Sequence, residues 1–208
     1  MDDVSVAVLA GGRSRRFGSD KRLLPLEGTT LLGRTLALAS ALSSDVLLVV
    51  ADAADAERVA PVIAAHRGEV GGEVGGELRV ITDTRSDTGP LAGLEAALGA
   101  AHHELVLVLA GDHPGLGADL LTLLLDTARA LPQLRAVTLA GPLGPEPMLT
   151  VHRRASLAEV SAALDAGTRR MVDVLDRLDA HVIDEATWRA CDPAGDGLVD
   201  IDTPDDLS

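Results

Sequence analysis

A chain of 208 residues with 18 basic and 32 acidic side chains carries a net charge of −14, and 47% of its residues are hydrophobic. Hydrophobicity at that level excludes a disordered chain, and the length suits one domain. The acidic balance, with Phe17 and Trp188 as the only aromatic residues, excludes a nucleic-acid partner, because neither a cationic surface nor a base-stacking platform can be built. No apolar run reaches the roughly 18 residues of a membrane span, and the acidic amino terminus lacks the basic-then-apolar order of a signal peptide. Cys191 has no second cysteine to pair with and is read as structural. The expectation is a soluble cytoplasmic protein with no membrane partner.

Apolar runs and helical spacings alternate along the chain. Val4–Leu9 predicts a strand and Leu31–Leu42 a helix with Leu32, Leu36 and Ala39 on one face. Val46–Val50 is a continuous apolar run, as expected of a strand covered on both faces. Then come a helix over Ala54–His66, a strand over Leu78–Ile81, and a helix marked by Leu91, Leu94 and Leu98. Leu105–Leu109 predicts a strand, Ala118–Ala130 a helix and Ala136–Leu139 a strand. Strands alternating with helices imply an open, parallel, doubly wound α/β sheet. The rhythm changes at GPLGPEP, Gly141–Pro147, which holds three of the ten prolines and predicts neither helix nor central strand. Met148–His152 follows as a strand, then helices near Ala155–Ala166 and Arg170–Leu178. No long polar linker divides the chain. The repeat GEVGGEVGGE, Gly68–Glu77, reads as an inert surface-loop extension.

In such a sheet, ligands bind at the carboxyl ends of the strands. After the first strand comes LAGGRSRRFGSDK, Leu9–Lys21. Gly11, Gly12 and Gly18 let backbone N–H groups approach an anion, and Arg13, Arg15, Arg16 and Lys21 put four cations within nine residues of an otherwise acidic protein. That inversion of sign suits a triphosphate, although the loop is neither a Walker A motif nor a GxGxxG fingerprint; the competing reading is a basic surface loop. After the third strand, Asp83 is either a base-reading carboxylate or a solvated turn residue. Thr88-Gly89-Pro90 forms a turn that aims a helix N-terminus at the cleft. After the fourth strand, Asp112 is an acid at the end of a buried run and needs a partner. Mg2+ bridging to substrate phosphates would supply one; the competing reading is a cap on the next helix. Asp200 and Asp202 fall on one side of an extended segment and can share a metal with Asp112; the alternative is that Asp202 or Thr203 caps a last short helix with Pro204 at its first position. His102 and His103 sit at a helix end, where they favour its dipole. Arg169 and Arg170 either meet a second substrate's phosphate or solvate a helix start.

These motifs, in this order and spacing, resemble the MobA-type molybdenum cofactor guanylyltransferases. The family pattern of LAGG-x-S-x-R, a hydrophobic residue and G-x-D-K is met by LAGGRSRRFGSDK. The later motifs are met by Asp83…GPLAG, GDHP and DIDTPDDL, and EPMLTVHR and DAGTRRMVDVLDRL also look like the family's later region. The resemblance implies a single, mostly parallel, Rossmann-like nucleotidyltransferase domain, with residues 1–140 binding nucleotide and 141–208 the second substrate. It implies transfer of GMP from GTP to the terminal phosphate of molybdenum-bound molybdopterin, releasing pyrophosphate, with Mg2+ as cofactor. Molybdoenzymes or molybdopterin-delivering proteins are the implied protein partners. Carried over by motif, Leu9, Ala10, Gly11, Gly12, Arg13, Lys21, Gly89, Pro90 and Asp112 bind nucleotide and Asp83 binds guanine. Lys21, Arg16 and Asp112 act in catalysis, and Asp112, with Asp200 and Asp202, holds the metal. The chain departs from the family at Ala51 and Asp52, where an Asn is frequent, and at Asp200 and Asp202, where guanylyltransferases often carry Asn. An Asp pair there also occurs in related cytidylyltransferases, which keeps a molybdopterin cytidylyltransferase, or another small-molecule nucleotidyltransferase of this fold, as the alternative.

Overall fold

The computed structural model describes residues 3–11, 20–69, 77–85 and 88–199. The chain starts in β1 (Val4–Leu9), buried along its whole length. Val4, Val6 and Val8 pack on one side of the sheet and Ala7 and Leu9 on the other, as the alternation of a strand requires. A 3-10 turn at Lys21–Leu23 leads to a small hairpin, β2 (Pro25–Leu26) and β3 (Thr29–Thr30). Its turn residues Glu27 and Gly28 both have positive φ, 47° and 88°, the conformation that a two-residue hairpin loop favours. The Thr30 side chain accepts from Gly33 N and caps α1 (Leu31–Leu42). Next are β4 (Asp45–Val50) and α2 (Ala53–Glu69), where Asp52 accepts from Asp55 N at 2.7 Å. The order continues through β5 (Glu77–Thr82), α3 (Pro90–Ala100), β6 (Leu105–Ala110), α4 (Ala118–Ala130), β7 (Ala136–Gly141) and β8 (Gly144–Arg153). It closes with α5 (Leu157–Asp165), α6 (Met171–Arg177), β9 (His181–Ile183) and α7 (Glu185–Trp188).

Among the described residues the main sheet has seven strands in the order β5-β4-β1-β6-β8-β7-β9. Strand β1 pairs in parallel with β4, Leu9 opposite Val49, and with β6, Leu9 opposite Ala110. The order runs outward from β1 to β5 and then reverses to β6, so the crevice beside a reversal lies at the carboxyl ends of β1 and β6. One core joins α1, α2 and α4 to the even residues of β1; the other joins α3, α5 and α6 to the odd ones. The doubly wound sheet expected from the sequence is therefore present, with two layers of helices.

The sheet departs from a uniform parallel one at β8, which runs antiparallel to both β6 and β7. Only Pro142 and Leu143 separate β7 from β8, too few residues for the crossover that a parallel strand needs. GPLGPEP is thus not outside the strands: its Gly144–Pro147 half opens β8, a strand with a neighbour on each side. The prolines are tolerated because β6 pairs with β8 only from Leu149 onward, while Pro145 faces Ala140 of β7 alone. Leu143, at the hairpin tip, is fully exposed. Cys191 is also exposed, which corrects its reading as structural. His102 and His103 follow α3, and their backbone N–H groups donate to Asp45 Oδ2 and Ser5 Oγ. Most of the Gly68–Glu77 repeat lies outside the described residues. Among the described residues no helix is long and apolar enough to cross a membrane.

One core residue gives the fold a pH dependence. His152 lies near the carboxyl end of β8, opposite Val106 and Ala136, fully buried, with no hydrogen-bond partner for either ring nitrogen among the described residues. Burial drops its pKa to about 4. Between that value and the unfolded value near 6.5 the unfolded chain binds the extra proton, so His152 withdraws stability as pH falls through this window and has no effect above it. The expected loss is about 2–3 kcal/mol at the acid end. Urea unfolding of the wild type and His152→Leu at pH 7.5 and 4.5 checks this: the wild type should lose more stability than the variant, and equal losses would refute it.

Candidate active site

The carboxyl ends of β1, β4, β5 and β6 bring together most of the described residues singled out in the sequence. Ala10 N donates to Val49 O at 2.8 Å, and Asp83 N to Val50 O at 3.0 Å, so the segments leaving β1 and β5 are both pinned to β4. A Cβ on Gly11 would stand 3.4 Å from Ala51 N, a close approach that keeps this residue small. Across the crevice, Gly111 and Asp112 follow β6. Gly12, Arg13, Arg15, Arg16 and Gly18, with Asp200 and Asp202, lie outside the described residues.

Lys21 reaches Asp112, Nζ to Oδ2 at 2.6 Å, with both side chains about one-fifth exposed. The acid at the end of a buried strand thus has a partner within the chain itself. The capping alternative for Asp112 fails, because α4 begins six residues later, with Gly117 at its cap position. His113, buried, places Nδ1 3.7 Å from Asp112 Oδ1. A Cβ on Gly115 would collide with the backbone of Asp196, so the Asp196–Leu198 turn packs tightly against the loop that carries Asp112.

Asp83 has a different setting. Among the described residues no donor meets its carboxylate, which lies against α3: a Cβ on Gly93 would stand 3.4 Å from Oδ1 and 3.3 Å from Leu9 Cδ2. Burial, with the Asp55 charge behind it, pushes the Asp83 carboxyl up to about 6. Helix α3 starts at Pro90 after Gly89, whose φ of 70° only glycine adopts without strain. Among the described residues no side chain caps this N-terminus; Pro90 carries no N–H, and Ala92 N donates to Gly89 O at 3.2 Å. Arg169 comes close to the same turn through its backbone, 3.8 Å from a Cβ on Gly89, while its guanidinium donates to Leu164 O and Thr168 O. Arg170 is mostly exposed and pairs with Asp173.

The sequence reading missed Arg22 and Asp55. Arg22 is 5% exposed and donates to Ala10 O, Asp20 and Asp55, while Asp55 also accepts from Ala51 N. Burial alone would raise the carboxyls of Asp20 and Asp55; hydrogen bonds from Arg22 outweigh it and hold both below the usual range. Asp52 serves as the cap of α2.

The donors suit an anionic, phosphorylated ligand with one divalent cation. Among the described residues no three His, Cys, Asp or Glu side chains form a metal cluster. One carboxylate, Asp112, beside the Lys21 ammonium fits a metal completed by phosphate oxygens rather than a protein-only cage.

Comparison with known proteins agrees with this geometry. A family model described as "MobA-like NTP transferase domain" matches residues 6–182. A relative from Chloroflexus aggregans, named "Probable molybdenum cofactor guanylyltransferase", is 33% identical over 98% of this chain and 91% of its own. The crystal structure of molybdopterin-guanine dinucleotide biosynthesis protein A from Archaeoglobus fulgidus is 27% identical, with a TM-score of 0.76 over 98% of this chain and 94% of its own. A CMP:2-keto-3-deoxy-manno-octonic acid synthetase complexed with CTP shares the fold at 16% identity, with a TM-score of 0.69 over 99% of this chain and 95% of its own.

Proposed function

The chain belongs to the MobA-like NTP transferase domain family and is a nucleotidyltransferase, and on that premise we propose that it transfers GMP from GTP to the terminal phosphate of molybdenum-bound molybdopterin. The observation that carries the choice of guanine is the half-buried Asp83 carboxylate, which no donor meets among the described residues. A carboxylate in that state accepts two hydrogen bonds from guanine N1–H and the 2-amino group. Cytosine offers only its 4-amino donor on that edge, and adenine lacks the N1–H.

In the reaction, a terminal phosphate oxygen of molybdopterin attacks the α-phosphorus of GTP. The new P–O bond forms as the bond to the β-phosphate's bridging oxygen breaks, and pyrophosphate leaves opposite. The nucleophile is already ionised, so no general base is required. What the protein supplies is position and neutralisation of charge. Gly11 lets backbone approach the phosphates, Lys21 donates to them, and the amino end of α3, the positive end of the helix dipole, faces the cleft. Mg2+ held by Asp112 would supply further charge neutralisation on the phosphate oxygens. Residues 1–140 form the nucleotide half of the site and the later elements the acceptor half, where the approach of Arg169 to Gly89 joins the two.

Specificity tests this reading. In thermal shifts with Mg2+ and equal GTP, CTP, ATP or UTP, GTP should stabilise most. Each buried polar group left unpaired costs about 1–3 kcal/mol, so the preference over CTP should be tenfold or more in affinity. Asp83→Ala should narrow that gap. A CTP shift equal to or larger than the GTP shift would replace guanylyl with cytidylyl transfer.

A further inference from the structure

We propose that Arg22 is a positioning residue for the phosphate end of this site, a clamp that holds both ends of the glycine-rich loop and the start of α2 in one arrangement. The inference rests on the nucleotidyltransfer reading above.

A guanidinium has five N–H donors in a rigid fork, and Arg22 uses all of them. Nε donates to Asp20 Oδ1 at 2.7 Å and Nη2 to Asp20 Oδ2. Nη2 also donates to Asp55 Oδ1 at 2.7 Å, and Nη1 to Asp55 Oδ2 at 3.1 Å and Ala10 O at 2.5 Å. Both carboxylates are therefore held in a bidentate manner by one buried cation.

The partners stand at places that matter to the site. Ala10 is the residue from which the loop leaves β1, and Asp20 the residue at which it returns, so one guanidinium fixes both loop ends. Asp55 accepts from Ala51 N at 3.1 Å, and Ala51 N is the atom that Gly11 approaches. Asp20 also accepts from Arg22 N, closing the short turn on which Lys21 stands. The backbone that carries Lys21 toward Asp112 is thereby held by its neighbour's side chain. Without Arg22, the carboxylate of Asp20, adjacent to Lys21 in the chain, is released to compete with Asp112 for the lysine.

A lysine in this place keeps the charge but has three donors on one atom and cannot serve two carboxylates and a carbonyl in the same plane. Arg22→Lys therefore separates positioning from charge. The measurements are calorimetric binding of Mg2+–pyrophosphate, Mg2+–GTP and guanosine, the steady-state kcat and KM for GTP, and the melting temperature. In Arg22→Lys, kcat should fall about 10- to 100-fold, because misplacing a positioned group by about 1 Å has effects of that order. Pyrophosphate and GTP affinity should fall about tenfold or more while guanosine affinity stays within about threefold, since the hydrogen bonds of the Arg22 guanidinium go to Asp20, Asp55 and Ala10 and not to Asp83 or α3. A purely structural role lowers the melting temperature and leaves the pyrophosphate-to-guanosine ratio unchanged. Asp55→Asn removes one arm of the clamp and should shift the same ratio in the same direction by less, which keeps the test intact if Arg22→Lys does not fold. Wild-type binding with an unaltered ratio in the folded variants overturns the clamp alone. A wild-type protein that binds neither GTP nor pyrophosphate overturns the nucleotidyltransfer reading, and the clamp with it.

Discussion

Lys21→Ala is expected to lower turnover by roughly two to four orders of magnitude, the range found when one preorganised donor to a developing oxyanion is removed, about 3–4 kcal/mol. Lys21 stands at the returning end of the glycine-rich loop, and its ammonium meets Asp112 at 2.6 Å across the crevice beside β1 and β6. Under the proposed function, a cation at that point would face the triphosphate of the bound nucleotide. Stability should change little. The pair is partly exposed, 19% and 23% at the side chains, and such pairs contribute no more than about 1 kcal/mol. Pyrophosphate release with GTP and molybdenum-bound molybdopterin, beside a melting curve, separates the two effects. A folded variant with wild-type turnover would remove Lys21 from the machinery.

The central strands were legible because their composition leaves no other home. Val46–Val50 and Leu105–Leu109 are apolar on successive residues, and Val4–Leu9 is broken only by Ser5, as suits strands covered on both faces. The direction of β8 was not legible from periodicity, which is the same for either direction. It followed from loop length, since two residues between β7 and β8 permit only a hairpin. Strands β2 and β3 have two residues each, too short for any period to register, and the positive φ at Glu27 and Gly28 was the one available signal, as a residue before glycine in a turn.

The site divides in a similar way. Residues at strand ends, such as Asp83 and Asp112, were found by locating the strands first. Arg22 escaped because the basic run reads as a phosphate-binding loop that ends at Lys21, and sequence alone does not show that the arginine just beyond it is buried. Asp55 escaped because an acid in the first turn of α2 is what a helix dipole already explains. Their partnership joins residues 33 apart in sequence, and no local pattern announces it.

Asp112→Asn should abolish the Mg2+-dependent part of the activity, with turnover reduced about 10²-fold or more. An acid ending a buried strand invites the expectation that its removal stabilises the protein, but here Lys21 already answers its charge. The melting temperature should therefore stay within the range of a lost partly exposed ion pair, about 1 kcal/mol either way. Asparagine keeps the shape and loses the charge, so nucleotide contacts made by backbone should persist while the response to the metal disappears. In the wild type, the GTP thermal shift should grow as Mg2+ is raised and shrink when EDTA removes it; in Asp112→Asn the shift should be nearly independent of both. A variant that keeps the wild-type Mg2+ response would take Asp112 out of the metal site. The double variant with Lys21→Ala adds a second constraint. Groups in one ion pair are energetically coupled, and residues acting as a unit lose less together than the sum of their separate losses. The double variant should therefore fall short of the product of the two single effects by tenfold or more. Strict multiplication of the losses would mean that the 2.6 Å contact joins two residues that serve the reaction independently.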